Sequence, residues 1–139
     1  MRASCPRLIC KLNAEQLTRI LLVDDDADTR DLIAFILEQS GAIVTSVSRA
    51  TEALQVFRQT KFDLLISDIG MSDMDGYMLI QQIRTMPTEL GGKVRAIALS
   101  AYAGEINQHQ ALAAGFQQHI SKPVEPEKLL KAIMTFVGK

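Results

Sequence analysis

Acidic side chains crowd the end of the first apolar run in the sequence. The run at residues 20–23 passes without a turn into Asp24, Asp25 and Asp26, and Asp28 follows two residues later. Neighbouring carboxylates raise one another's pKa unless a cation or a lysine lies among them. Their oxygen atoms suit Mg²⁺, which binds one or two carboxylates together with waters and phosphate oxygens. The segment is therefore either part of a metal site or a set of acids that water solvates.

Short apolar runs alternate with amphipathic ones along the chain. They predict alternating strands and helices, in the order 20–23, 29–39, 42–46, 50–59, 63–67, 77–86, 94–99, 105–114, 117–121 and 127–137. Strands that are apolar almost throughout are typical of a parallel sheet covered on both faces. Strict alternation implies right-handed crossovers. The predicted fold class is α/β, with a five-stranded parallel sheet doubly wound as a (βα)5 flavodoxin-like three-layer sandwich.

The size and charge of the chain narrow its class. Its 139 residues have the length of one domain, and 15 basic residues nearly balance 16 acidic ones, so no global field points to nucleic acid or an anionic membrane. No apolar run approaches the roughly 20 residues that cross a bilayer, and we expect a cytoplasmic protein. We expect a folded domain at 19–139 and an irregular leader or linker at 1–18. Its Cys5 and Cys10 are expected as reduced thiols or, alternatively, as a redox-sensing pair.

Chemically competent residues follow four of the predicted strands. Asp24 and Asp25 come after the first strand, Asp68 after the third, Ser100 after the fourth and Lys122 after the fifth. Doubly wound sheets bind ligands beyond the carboxyl ends of their strands, so these residues should converge. A hydroxyl and an ammonium opposite a metal-binding acid cluster are typical ligands of phosphoryl oxygens. The set predicts metal-assisted phosphoryl chemistry.

Four segments carry a resemblance to a known family. They are LLVDDD, FDLLISDIGMSDMDG, IALSAYA and AGFQQHISKPVEP, within about residues 19 to 138. In this order and spacing the chain resembles a response-regulator receiver domain, the phosphoacceptor module of two-component signalling. The residues of these segments are most similar to those of receiver domains attached to hybrid sensor histidine kinases.

The resemblance implies a role for each residue of the acid cluster. Asp68 would be the nucleophile that takes a phosphoryl group from the phosphohistidine of a kinase. Asp25 would bind Mg²⁺ directly, Asp24 mainly through water, and Gly70 through its backbone carbonyl. Lys122 would pair with Asp68 and then with the phosphoryl group, because its charge offsets that of the transition state.

Further roles implied by the resemblance concern the response to phosphorylation. Ser100 would donate a hydrogen bond to a phosphoryl oxygen, and His119 occupies the place of the family's aromatic switch residue. The peptide bond before Pro123 is expected to be cis. Gly70 and Tyr102 lie at positions that tune how readily water reaches the phosphoaspartate. Their effects are opposed, because a glycine opens that path and a tyrosine would cover it.

The expected partners follow from the same resemblance. They are a sensor histidine kinase or a histidine phosphotransfer protein, and a downstream protein on the face of helix four, strand five and helix five. A phosphorylation-dependent homodimer is possible, and no direct contact with nucleic acid or membrane is expected. The domain would not be an enzyme beyond its own phosphorylation and dephosphorylation. Whether it stands alone or belongs to a larger hybrid kinase stays open.

Three other interpretations use the same acids. A haloacid-dehalogenase-type phosphatase would use Asp24 and Asp26, but its motif is not met at Asp28 and no cap domain fits in this length. A calcium loop fails because Thr29 replaces the turn glycine and Phe35 the last acid. A receiver fold that is never phosphorylated, and acts only through protein contacts, is the third.

The remaining acids receive local roles. We expect Asp28 to cap the first helix and Asp75-Gly76 to form a tight turn before the third. Asp26 and Asp73 are expected to be solvated.

Overall fold

The computed structural model describes residues 18–70, 74–100 and 105–137, and its sheet has five parallel strands. The strands are β1 (Arg19–Val23), β2 (Ile43–Val47), β3 (Leu64–Asp68), β4 (Arg95–Ser100) and β5 (Gln118–Ser121). The helices are α1 (Ala27–Gln39), α2 (Ala50–Gln59), α3 (Gly76–Arg84), α4 (Glu105–Ala114) and α5 (Pro126–Val137), with a 3-10 turn at Thr88–Leu90. The strand order is β2-β1-β3-β4-β5, which confirms the predicted α/β class and its doubly wound parallel sheet.

The sheet separates two hydrophobic layers. Alternate residues of one strand enter different layers, because successive side chains point to opposite faces. On β1, Ile20 and Leu22 pack with α1 and α5, whereas Leu21 and Val23 pack with α2, α3 and α4. All four of these side chains are fully buried, so the apolar runs in the sequence do mark strands covered on both faces.

Several strands begin and end later than predicted. β3 includes Asp68 and β4 includes Ser100, because Asp68 pairs with Leu99 and Ser100 pairs with Ser121 in the parallel ladder. Two polar residues of the expected site are therefore the last residues of strands rather than the first residues of loops. Their backbone is held by the sheet on which the layers pack.

The prediction that Asp28 caps the first helix is wrong. The cap is Asp26, whose carboxylate accepts hydrogen bonds from the backbone N–H and the hydroxyl of Thr29. Those bonds lower the pKa of Asp26. Asp28 instead lies in the first turn, where a negative charge interacts favourably with the helix dipole. Asp75 caps α3 in the same way, accepting from the N–H of Met78 at 2.9 Å.

The predicted leader lies outside the described residues except for Thr18. The carbonyl of Thr18 accepts a hydrogen bond from the N–H of Ile43 at 2.8 Å, so the β1–β2 ladder extends to this residue. Cys5 and Cys10 are outside the described residues. No helix of the described ranges is both long enough and apolar enough to span a membrane.

Arg84, at the end of α3, forms hydrogen bonds with the segment before β4 and with the segment before β5. Its guanidinium donates to the carbonyls of Gly92 at 2.9 Å, Val94 at 2.6 Å and Gly115 at 2.7 and 3.1 Å. It also donates to the side-chain oxygen of Gln117 at 3.3 Å. Burial lowers the pKa of Arg84, and the planar fork of donors satisfies carbonyls that precede β4 and β5.

We expect Arg84→Met to destabilise the domain by about 2–4 kcal/mol, because it removes these donors and leaves partly buried carbonyls unpaired. Arg84→Lys should recover only part of the loss, since an ammonium lacks the fork. Arg58→Met on the exposed surface of α2 is the matched control, expected within about 0.5 kcal/mol of wild type. Urea unfolding followed by circular dichroism measures the differences, and equal stability of the Arg84→Met and Arg58→Met variants would contradict the assignment.

Candidate functional site

The carboxyl ends of β1 and β3 and the residue after β5 bring three charged side chains together. The ammonium nitrogen of Lys122 lies 3.0 Å from Asp24 Oδ2 and 3.4 Å from Asp68 Oδ1. Asp24 is 0% exposed and Asp68 is 5% exposed. A buried carboxylate needs a cation or hydrogen bonds, because water no longer solvates its charge. Lys122 therefore offsets the charge of two buried carboxylates at once.

Asp24 is held in place through its backbone and one carboxylate oxygen. Its Oδ1 accepts a hydrogen bond from the N–H of Asp26 at 2.9 Å. Its backbone carbonyl accepts from the guanidinium of Arg30 at 2.7 Å. Its Oδ2 is buried and makes no hydrogen bond of good geometry with the described residues, so its contact with Lys122 is an ion pair. The Oδ2 of Asp24 is thus held by the charge of Lys122.

Asp25 completes an acidic cluster with Asp24 and Asp68. One carboxylate oxygen from each lies within 4.8 Å of the others. Asp25 is exposed, so the cluster is open to solvent on one side. Such a set of hard oxygen atoms suits Mg²⁺, which keeps several waters when protein carboxylates bind it.

The charges of the site perturb each other's pKa. Burial, and then the charge of Asp24, raises the pKa of Asp68 to about 6, against the opposing effects of Lys122 and the Gly70 N–H. Burial alone would lower the pKa of Lys122, but the two carboxylates outweigh it and the pKa is raised. At neutral pH the lysine is therefore charged and Asp68 is mostly ionised.

Ser100 and the segment after β5 lie at the same edge of the sheet. Ser100 is 6% exposed, and its backbone carbonyl accepts a hydrogen bond from the N–H of Lys122 at 2.7 Å. The peptide bond between Lys122 and Pro123 is cis. The hydrogen bond between Lys122 and Ser100 joins the end of β4 directly to the residue that carries the ammonium.

His119 lies on β5, in register with Ala98 of β4. It is partly buried, and burial lowers the pKa of its imidazole. Its Nε2 is buried without a hydrogen-bond partner among the described residues. His119 is three residues from Lys122 along the chain. Tyr102 lies outside the described residues.

Gly70 faces open space beside the nucleophile candidate. Its N–H donates to Asp68 Oδ1 at 3.4 Å, a long hydrogen bond. A Cβ atom built at Gly70 would have no described atom within 4 Å. The approach to Asp68 from this side is therefore not blocked by a side chain at position 70.

Two features near the site escaped the sequence-based predictions: the contact of Arg30 and the close packing of Gly76, which was predicted only as a turn residue. Arg30 points back from α1 to the Asp24 carbonyl, and the sequence gives no sign of which α1 side chain does so. Gly76 lies so close to the end of β3 that an added Cβ would be 2.5 Å from the Asp68 carbonyl oxygen. Its N–H donates to Ile69 at 2.8 Å. The sequence feature that could have indicated this close approach is a glycine at the first position of a helix, where helix capping does not require one.

Comparisons with known proteins agree with this geometry. Residues 20–134 match the family model described as the response regulator receiver domain. The chain is 45% identical over 117 residues to a protein of Leptolyngbya boryana called "Uncharacterized 14.6 kDa protein in sodA1 3'region", covering 84% of this chain and 88% of that protein. It is 31% identical over 121 residues to the sensor histidine kinase GacS of Pseudomonas protegens, covering 86% of this chain but only 13% of the kinase.

Solved structures share the fold. A putative response regulator from Chloroflexus aurantiacus has a TM-score of 0.84 and 26% identity, covering 89% of this chain and all of that one. A CheY-like receiver domain protein from Methanospirillum hungatei has a TM-score of 0.77 and 34% identity, covering 86% and 93%. The chain belongs to the response regulator receiver domain family. It is a receiver domain of two-component signalling, related in sequence to those of hybrid sensor kinases.

We expect Gly76→Ala to destabilise the domain by about 1–3 kcal/mol, because its methyl group would overlap the backbone of Asp68 and Ile69. Gly70→Ala is the matched control and should change stability by less than about 0.5 kcal/mol, since its methyl group enters open space. Urea unfolding of both variants makes the comparison. A neutral Gly76→Ala would show that the two backbones can separate without cost.

We expect Asp68→Asn to be more stable than wild type by about 1–3 kcal/mol near pH 7.5 in EDTA. The raised pKa means that folded Asp68 holds its proton between about pH 4 and 6, where the unfolded chain has lost it. The stability that this proton gives is complete at lower pH and is lost as pH rises through about 6. The advantage of the variant should therefore vanish near pH 4.

Urea unfolding between about pH 4 and 8 tests this pH dependence. Asp31→Asn, on the exposed side of α1, is the control and should follow the wild-type profile. A constant difference between Asp68→Asn and wild type at every pH would contradict the raised pKa.

Proposed function

We propose that this receiver domain accepts a phosphoryl group on Asp68 from the phosphohistidine of a sensor histidine kinase or a histidine phosphotransfer protein. The observation that supports this most is the position of the Lys122 ammonium, 3.4 Å from Asp68 and 3.0 Å from Asp24. An ionised carboxylate beside this ammonium can act as a nucleophile. The ammonium can then offset the negative charge of the phosphorylated product. The proposed compartment is the cytoplasm.

We propose Mg²⁺ as the cofactor, held by Asp24, Asp25 and Asp68, with the Gly70 carbonyl as a further ligand. The fit is supported by the three carboxylate oxygens within 4.8 Å of one another and by the buried Asp24 Oδ2 that lacks a hydrogen bond. When bound, the ion would offset the negative charge of the phosphoryl oxygens that approach these acids.

In the proposed transfer, an oxygen of Asp68 attacks phosphorus as the bond from phosphorus to the donor imidazole breaks. The imidazole nitrogen keeps the electron pair of that bond. Lys122 lies beside Asp68 and would offset charge on the transferred group, and the Ser100 hydroxyl would donate to one of its oxygens. The protein mainly positions the reacting groups and offsets the charge on the transferred phosphoryl group, as phosphoryl transfer requires.

The burial of the two acids supports Asp68, rather than Asp24, as the nucleophile. Asp24 is 0% exposed, one of its oxygens accepts the Asp26 N–H, and the other faces Lys122. Asp68 ends β3 beside Gly70, where a Cβ atom would have no atom of the described residues within 4 Å. A phosphatase that used Asp24 as its nucleophile would need that buried carboxylate to reach a substrate.

The proposed response to phosphorylation runs through Ser100, Lys122 and His119 to the face of α4, β5 and α5. A phosphoryl group would draw Lys122 and Ser100 toward it, and the hydrogen bond between their backbones joins their movements. His119 pairs with Ala98, two pairs before the Ser100–Ser121 pair along the β4–β5 ladder. A downstream protein or a second copy of the chain would read the changed face. Gly70 and Tyr102 are proposed to set the lifetime of the phosphoaspartate.

Beryllofluoride with Mg²⁺ tests the assignment, because it binds a carboxylate as a phosphoryl analogue. We expect the amide NMR spectrum of the wild type to change at residues near β3, β4 and β5, and that of Asp68→Asn to stay unchanged. Asp63→Asn, at the opposite end of β3, is the matched control and should respond as the wild type does. Equal responses of Asp68→Asn and wild type would refute the phosphoacceptor, and no response in either would favour an unphosphorylated interaction module.

Lys122→Gln tests the role of the ammonium separately. Removing a single charge of this kind slows such reactions by about 10²–10³-fold, and we expect a loss of this order in the rate of transfer from acetyl phosphate. Mg²⁺ binding should persist, because the acids remain. A rate within about threefold of wild type would contradict the role given to Lys122.

A further inference from the structure

β2 forms the edge of the sheet that lies opposite to β5. The strand order begins with β2, and β1 occupies its inner edge in a continuous parallel register, from Arg19 with Ile43 to Val23 with Val47. No strand among the described residues lies beyond β2. The free edge of a sheet presents backbone N–H and C=O groups that another chain can pair with.

The sequence of β2 lacks the features that usually protect a sheet edge. Its residues, IVTSV, include no charged side chain and no proline, and the continuous register with β1 leaves no bulge. Natural edge strands often carry lysines, prolines or bulges, which prevent pairing with other chains. Four residues of β2 are half-buried and Ser46 is exposed, whereas β3 is buried throughout. The edge of β2 is therefore suited to accept another strand.

The backbone groups of β2 point alternately to β1 and to the outer edge. The N–H of Ile43 donates to the carbonyl of Thr18 at 2.8 Å, toward β1. Because alternate residues of a parallel strand pair with the same neighbour, the N–H and C=O groups of Val44 and Ser46 point to the outer edge.

Contacts within the chain limit the part of this edge that another strand can use. The N–H of Ala42, the residue before β2, donates to the carbonyl of Leu37 at 3.1 Å. The N–H of Ser48, the residue after β2, donates to the carboxylate of Glu52 at 3.3 Å. The two outward-facing residues of β2 lie between these positions, one on each side of Thr45. An added strand therefore finds its backbone partners at a short stretch centred on Thr45.

A second copy of β2 fits this edge by symmetry. In an antiparallel pair with a twofold axis at Thr45, Val44 of each copy lies opposite Ser46 of the other, and the residues of each such pair exchange both of their hydrogen bonds. These bonds use every outward N–H and C=O group of Val44 and Ser46 in both copies. The same axis places the two Thr45 side chains opposite each other, which is a favourable cross-strand pair.

Charges at the two ends of β2 complement each other in this arrangement. Arg49 follows the strand, Glu38 precedes it near the end of α1, and both residues are exposed. The N–H of Gly41 donates to the carbonyl of Glu38 at 3.0 Å, so these two residues are neighbours in space. The twofold axis at Thr45 would place Arg49 of one copy opposite Gly41 of the other, close to Glu38. Opposite charges would thus meet at both ends of the paired strands, which favours a second copy as the occupant of this edge.

We propose that two copies of the chain pair antiparallel through β2, about a twofold axis at Thr45, and so join their two sheets into one. The contact lies at the opposite edge of the sheet from β5 and needs no phosphoryl group. It therefore goes beyond the proposed function and does not rest on it. The paired stretch is short, so the dimer is weak and depends on protein concentration.

Charge variants of Thr45 test the twofold axis by sedimentation equilibrium of the full chain. We expect Thr45→Lys and Thr45→Glu each to weaken dimerisation about tenfold, because like charges would lie opposite each other at the axis. An equimolar mixture of the two variants should restore dimerisation, since opposite charges then meet there. Thr88→Lys and Thr88→Glu make the same changes of charge at an exposed residue of the 3-10 turn and should dimerise as the wild type does.

Two results of this experiment would overturn the proposal. One is a wild type that stays monomeric up to a concentration of about 1 mM. The other is a mixture that associates no more than either Thr45 variant alone.

Amide hydrogen exchange of the wild type, followed by NMR, tests the strand pairing without any substitution. The amides of Val44 and Ser46 should exchange more slowly as the protein concentration rises, because the dimer places them in hydrogen bonds. The amide of Thr45 faces β1 in monomer and dimer alike, so its exchange is the internal control. A dimer that leaves the exchange of Val44 and Ser46 unchanged would place the contact elsewhere and overturn the proposal.

Ser46→Pro keeps the test decisive if circular dichroism shows that the Thr45 variants do not fold. It removes one outward N–H, and proline is tolerated on an edge strand where its nitrogen faces away from the neighbouring strand. We expect this variant to be monomeric at concentrations where the wild type dimerises. Association of Ser46→Pro with wild-type affinity would overturn the pairing.

Asp68→Asn separates this contact from a phosphorylation-dependent homodimer. The variant lacks the proposed acceptor carboxylate but keeps β2, so it should dimerise as the wild type does, with or without beryllofluoride. Association that appears only with beryllofluoride, and is lost in Asp68→Asn, would support the phosphorylation-dependent homodimer and overturn the contact through β2. A β2 dimer in a protein that gives no beryllofluoride response would support this contact and refute the acceptor.

Discussion

The Lys122 ammonium is the charge on which the centre of the domain depends. It is shared by Asp24 and Asp68, which are 0% and 5% exposed. Two adjacent buried carboxylates cannot both stay ionised at low cost without a cation, and loss of one member of a buried ion pair is strongly destabilising. The raised pKa of Asp68 shows that even this lysine offsets only part of the cost.

That incomplete compensation gives the site its chemistry. Acids that repel one another favour any cation that enters, so the charge repulsion within the cluster is a source of metal affinity. In the proposed reaction the phosphoryl group takes Lys122 as its own partner. The ion pair is therefore strong enough to position the lysine and weak enough to be exchanged.

Sequence patterns predicted the elements better than their ends, for a physical reason. Continuous apolar runs and helical periodicity depend on burial, and every residue of β3, and every residue of β1 and β4 after the first arginine, is buried. The start of α1 depends on which aspartate caps the helix. Asp26 accepts from the Thr29 N–H, three residues on, and Asp28 could equally have accepted from an N–H two or three residues after it, so the sequence allows either. Arg84, Arg30 and Gly76 act on residues that are distant in the chain or depend on close backbone approach, so local patterns could not reveal their contacts. The acid cluster was predictable because parallel strands bring their carboxyl ends to one edge.

The order of the strands also decides how the site can communicate. β1 and β3 are interior strands whose acids are fixed by neighbours on both sides, whereas β5 pairs only with β4 among the described strands. Lys122 directly follows β5 and is joined to Ser100 through its backbone N–H, so the cation shared by the two acids follows an edge strand. A partner on the face of α4, β5 and α5, as proposed above, and a phosphoryl group on Asp68 would thus act on the same short segment. Any free-energy coupling between them must be reciprocal, so a partner that prefers the phosphorylated arrangement of β5 would also stabilise the phosphoaspartate state.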